Sequence, residues 1–258
     1  MRKILLTSVG VAALAVSANA TDFTLSGTAK VKVMDDGNTS DDVSTAVGVS
    51  KTFDNGMVLS LSNNNMANAG ELTVTSDAVA ITFGDFDQNE KAPGLNGDAA
   101  TSDIKSDGVG HSSDEGGISL GATVAGMGIG AAMNNQGDTM FGGSFSSDMG
   151  GMAVTIGGDV YSDDNASKDQ TTMGISAGLG ALTLVAHSKQ VEAAAGTDTV
   201  SYSAAYTTGG LVIGFQGDDN DKSSYSATYT VVPGMQFEIG SLDNGTTSTS
   251  SAELQMTF

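Results

Sequence analysis

The chain contains no cysteine. Disulfides and thiolate metal sites are excluded, and the compartment must be read from something other than thiol usage. Proline is nearly absent, 2 residues in 258, which argues against a disordered proline-rich chain. Leucine, lysine and glutamate are too sparse to favour helices. Basic residues are also few, 10 against 30 acids. A chain with that balance does not bind nucleic acid or anionic lipid surfaces by charge; it attracts cations and repels anions. Past Val16 no apolar run reaches the length of a spanning helix, so helical membrane insertion is excluded. A soluble β protein or a β-barrel remains.

What is present begins at the N-terminus. Arg2 and Lys3 precede an apolar run from Ile4 to Val16, and Ala18-Asn19-Ala20 offers small residues at the positions a signal peptidase reads. This is the layout of a secretory signal peptide. The run is shorter than the roughly 20 residues that a membrane anchor needs. The sequence predicts a signal peptide over 1–20 and one exported domain over 21–258. Eight lysines and 30 acids then remain, a net charge of −22.

The exported part is a succession of short segments with period two. In the first, Phe23, Leu25, Gly27, Ala29, Val31 and Val33 share one parity, and Thr24, Ser26, Thr28, Lys30 and Lys32 the other. Such alternation makes a strand with two unlike faces. It predicts strands over 23–34, 43–53, 57–63, 71–76, 79–85, 118–125, 129–134, 139–147, 152–161, 171–179, 182–189, 199–207, 211–217, 222–231, 235–242 and 251–258. Short connections such as Asp54-Asn55-Gly56, Gly126-Met127-Gly128, Gly180-Ala181 and Pro233-Gly234 hold the residues that tight hairpins require. Longer polar ones intervene at 35–42, 64–70, 86–117, 135–138, 162–170, 190–198, 218–221 and 243–250. Tight turns at one rim and longer loops at the other are the layout of an all-β, antiparallel transmembrane barrel of about 16 strands, with about 14 also compatible.

The inward parity reads Thr172, Gly174, Ser176; Ser201, Ser203, Ala205; and Ser224, Ser226, Thr228, Thr230. These side chains are too small to fill a barrel of that size, so a water-filled lumen is expected. The outward parity suits lipid: Leu182, Leu184, Ala186; Leu211, Ile213, Phe215; Met235, Phe237, Ile239.

The last strand alternates Ala252, Leu254, Met256 and Phe258 with Ser251, Glu253, Gln255 and Thr257. Ending on Phe258, it resembles the signal by which Gram-negative outer-membrane proteins engage the barrel assembly machinery. Phe23-Thr24-Leu25-Ser26-Gly27 resembles the opening strand of the general diffusion porins, and Ile81-Thr82-Phe83-Gly84-Asp85 resembles their fifth strand. The resemblance implies an outer-membrane homotrimer, embedded in lipid, that passively conducts small hydrophilic solutes and cations. It also implies periplasmic termini and a third external loop folded into the lumen. Two features depart from the family: the chain is small, and its exported part has no arginine to face the acidic loop. Lys30 and Lys32, inward on the first strand, are the closest substitutes.

The long connection carries Asp85, Asp87, Glu90, Asp98, Asp103, Asp107, Asp114 and Glu115 in or beside it, against Lys91 and Lys105. Folded inward, these acids form a constriction that concentrates cations. Inward Glu238 adds to the same charge. A Ca²⁺ site is a second reading, although the spacing matches no calcium loop, and a solvated acidic loop is a third. No other cofactor is expected. His111 and His187 are the only histidines. His187 has inward parity near a predicted strand end, and Ser119 or Ser188 would be its partner in a hydrolase. Serine is so common here that such proximity is expected by chance, so no enzyme activity is predicted. No phosphate-loop motif occurs among the glycines. Lys51, outward near a turn, reaches the interface by its long stem. The alternative reading is a structural or adhesive outer-membrane barrel that displays loops, but only one loop is long.

Overall fold

The structure is a computed structural model. It describes residues 21–34, 39–63, 71–84, 91–93, 95, 117–163, 169–192 and 198–257; the side chains of 21–30, 32, 34, 39–45, 62 and 63 are outside that description. Sixteen strands follow one another: β1 Thr21–Met34, β2 Thr39–Thr52, β3 Val58–Asn63, β4 Glu71–Thr75, β5 Val79–Gly84, β6 Gly117–Val124, β7 Met127–Asn134 and β8 Thr139–Asp148. The second half is β9 Met152–Ser162, β10 Gln170–Leu179, β11 Leu182–Val191, β12 Thr199–Thr208, β13 Leu211–Asp218, β14 Ser223–Val232, β15 Met235–Asp243 and β16 Ser248–Thr257. Each pairs antiparallel with its sequence neighbours. β16 returns to β1, with Ala29 opposite Met256 and Val31 opposite Leu254, so the ring has no open edge.

Alternation fixes which face is which. Across β8, β9, β10 and β11, Phe145, Ile156, Ile175 and Ala186 form one outward row. The adjacent inward row is Ser144, Gly157, Gly174 and His187. A one-residue slip would exchange the two sets, so the register is strongly specified. Large apolar side chains stand on the outer face: Phe141 is 63% exposed, Met173 64% and Leu179 60%. A water-soluble protein would bury them; a barrel wall in lipid presents them.

Tight turns close one rim. Gly209 and Gly210 both take positive φ, 53° and 84°, as a two-residue hairpin turn requires. The β6–β7 turn differs from the expected Gly126-Met127-Gly128. It is Ala125-Gly126, with φ of 52° and 80°, and Met127 and Gly128 continue the strand. Alanine carries no turn signal, so the shift could not be seen in advance. β2 starts at Thr39 and β16 at Ser248, four and three residues earlier than expected. In both places polar residues of the connection extend a strand that already has partners.

Candidate functional site

The interior shows an axial gradient in how well inward side chains are covered. On β8, Met140 and Gly142 are buried, Ser144 is half-buried and Ser146 is exposed towards the tight-turn rim. β12 repeats this: Ser201, Ser203 and Ala205 are buried and Thr207 is exposed. On β14, Ser224 and Ser226 are buried, Thr228 is half-buried and Thr230 is exposed. Small hydroxyl side chains on a bare concave wall would be wet. Ser224 at 1% exposure and Thr172 at 0% therefore face other protein atoms, not open water. On these three strands the inward side chains nearer the long connections are covered by protein, and those nearer the tight turns are exposed.

Three residues supply part of that cover. Lys91, Ala92 and Pro93, from the long connection between β5 and β6, lie against the inner faces of β9 and β10. Asp159, inward on β9 and 2% exposed, receives them. The Lys91 amide donates to its Oδ1 at 2.8 Å and Oδ2 at 2.9 Å, and the Ala92 amide donates to Oδ2 at 2.7 Å. The Thr172 hydroxyl lies 3.4 Å from the same Oδ2. A buried carboxylate is costly unless its oxygens are satisfied, and two main-chain amides converging on it are a strong arrangement. The wall beside it is bare backbone. A Cβ on Gly157 would collide with the Lys91 carbonyl, and one on Gly174 would sit 2.8 Å from the Pro93 carbonyl oxygen. Glycine at these two places is what lets a second layer of chain lie on the strands. Next to this contact Ala132, Met140 and Tyr161 form a small interior apolar cluster, and the Tyr161 hydroxyl bonds to the Asp138 carboxylate.

Of the residues expected in the pore, Glu238 is inward on β15. The Thr228 hydroxyl donates to its Oε2 at 3.2 Å. It stands opposite Glu253, whose other neighbour in register is Lys32 on β1. Lys30 pairs in register with Gln255 and Asp42. The backbone thus places Lys30 and Lys32 on the inward parity, while their side chains lie outside the described atoms. Asp85, Asp87, Glu90, Asp98, Asp103, Asp107, Asp114, Glu115 and Phe258 lie outside the described residues, as do His111 and Lys105. Among the described residues no group of three or more acids and histidines is placed to hold a metal ion.

His187 departs from expectation. It sits in the middle of β11, not near its end, and is 4% exposed between Gly174 and Ser201. Ser188 has the opposite parity, and Ser119 is on β6, five strands away. Neither serine is brought to the imidazole. Lys51 stands exposed by the first tight turn, its Nζ 5.4 Å from the centre of the Phe53 ring. Sequence reasoning missed Asp159. The available signal was a carboxylate in mid-strand, on a parity otherwise made of Gly157, Thr155 and Tyr161.

No family model matches the chain, and no characterised protein matches it in sequence. Solved structures do match. A variant of the Rh. blastica porin aligns over 92% of this chain and 100% of its own, with a TM-score of 0.66 and 14% identity. A triple mutant of the Rhodopseudomonas blastica porin gives 0.65 and 13% over the same shares. A structure described as "Asymmetric conductivity of engineered proteins" gives 0.64 and 13%, again over 92% and 100%. At these identities the likeness establishes architecture: the chain has the fold of a porin.

Proposed function

We propose that this protein is an outer-membrane porin, a passive water-filled channel for small hydrophilic solutes and cations. The observation that carries the reading is the closed ring itself, with large apolar side chains outside and small polar ones inside. Only such a ring can cross lipid in strands without leaving backbone groups unpaired. The export signal over 1–20 and the terminal Phe258 support delivery to the outer membrane and handling by the barrel assembly machinery. The covered inward side chains of β8, β12 and β14, and the seating of Lys91–Pro93 on the inner wall, support a long connection that lies inside the barrel and narrows it. Its eight acids against two lysines then make the narrow section cation-selective. The porin architecture and the small outward residues Gly27 and Ala29 on β1 support a homotrimer.

Planar-bilayer recording of the refolded protein tests the channel. Stepwise conductance is expected, with a reversal potential in a salt gradient of the sign for cation preference. Absence of conductance from correctly folded, heat-modifiable protein overturns the reading. Cross-linking in mild detergent tests the trimer, and a product that stops at monomer counts against it.

A further inference from the structure

We infer that Asp159 is the latch that holds the start of the long connection inside the barrel, and so sets the cross-section of the channel. This rests on the channel reading for its consequence, but the latch itself is a matter of geometry. The attachment is made by main chain. Both carboxylate oxygens of Asp159 are occupied by the amides of Lys91 and Ala92, and Thr172 supplies the remaining donor. The side chain of Lys91 takes no part in these bonds; its stem runs across the wall towards Gly128, where a Cβ would lie 3.7 Å from the Lys91 Cδ.

The fit depends on absent atoms as much as on the carboxylate. Gly157 and Gly174 leave the wall flat where the Lys91 and Pro93 carbonyls pass, and Gly142 leaves room for the Asp159 carboxylate. These three glycines occupy inward positions on three consecutive strands, β8, β9 and β10. Together with Asp159 they form a receptor for an extended piece of chain. Asp159 is thus a positioning residue: it acts on permeating solutes through the segment it holds.

Two kinds of change should release the segment by opposite chemistry. Asp159→Ala removes the acceptor and Gly157→Val fills the seat. Ser146→Ala, on the exposed rim of β8, leaves this contact untouched and should leave the latch closed. Each is made in the full exported chain, refolded, and checked for the heat-modifiable band. The first readout is trypsin cleavage after Lys91, the residue that the latch holds, and it does not require a working channel. Release should raise its rate on the order of tenfold in Asp159→Ala and Gly157→Val, because cleavage follows the population of the open segment. Asp159→Asn keeps one acceptor oxygen in the same shape and should fall between. The second readout is the largest sugar that enters liposomes, which should grow in the released variants and stay at the wild-type size in Ser146→Ala.

Unchanged cleavage and unchanged size limit in folded Asp159→Ala and Gly157→Val overturn the latch. If Asp159→Ala does not fold, Asp159→Asn and Gly157→Val decide by the same criteria. Release by Ser146→Ala would mean that cleavage follows general loosening of the wall, and overturns the latch. A wild-type protein that excludes every sugar and carries no current overturns the channel reading, while the cleavage comparison still judges the latch.

Discussion

Adjacent residues on β10 distinguish a barrel in lipid from one in water. Ile175 is outward, 43% exposed, in a row with Ile156 and Phe145. Ser176 is inward, opposite Thr155 and Val185. Replacing each by lysine gives opposite expectations in the two settings. In a bilayer Ile175→Lys places a cation against hydrocarbon near mid-depth, at about 2–4 kcal/mol. That is a loss of roughly 30- to 900-fold in the folding equilibrium, at 1.36 kcal/mol per factor of ten. Ser176→Lys points into the half-open part of the lumen, where the ammonium stays hydrated, and should cost under about 1 kcal/mol. In water an exposed Ile175→Lys would be neutral within about 0.5 kcal/mol. Urea titration in lipid vesicles measures both, with the gel shift between folded and boiled forms as readout, because the chain has no tryptophan to report by fluorescence. A neutral Ile175→Lys beside a destabilised Ser176→Lys would refute the assignment of inside and outside.

Changing Asp98, Asp103 and Asp107 together to asparagine should lower cation selectivity in reversal-potential measurements, with the folded band retained. The wild-type preference should itself fade near 1 M salt, where the Debye length is about 3 Å. Gly234→Val should lower the urea midpoint by an amount equivalent to about 1–3 kcal/mol, since φ there is 82° and a Cβ would approach the Thr257 carbonyl oxygen to 2.7 Å. Because the chain has no native thiol, single cysteines map the lumen cleanly. A water-soluble maleimide should label Ser146→Cys on the order of tenfold faster than Ser224→Cys, following exposure; equal rates would mean that the interior is not filled where Ser224 lies.

The wall was legible in the sequence because its causes are local. Period-two alternation specifies two faces, and glycine at hairpin turns specifies where strands reverse, so strand ends fell within a few residues of their observed places. The exceptions have local reasons as well. Ala125 adopts a positive φ that its type does not announce, and the ends of β2 and β16 are polar residues recruited into pairing by a neighbouring strand.

The interior was much less legible, and Asp159 shows why. Along β9 the inward positions Thr155, Gly157, Asp159 and Tyr161 read as small or polar residues facing water, which is what a lumen wall requires. The same string is also what a docking surface requires: flat at Gly157, with a hydrogen-bond acceptor two residues on. Alternation reports the face of a residue but not what stands in front of it. Lys91 is 68 residues away in the chain, and its contribution is a main-chain amide, which every residue except proline possesses. No side-chain pattern could have paired the two. In the sequence Gly174 is one more small residue of the inward parity, yet the Pro93 carbonyl occupies the place a side chain would take. In a wide barrel, inward glycines beside a lone mid-strand carboxylate are therefore the trace that an inserted segment leaves on the wall.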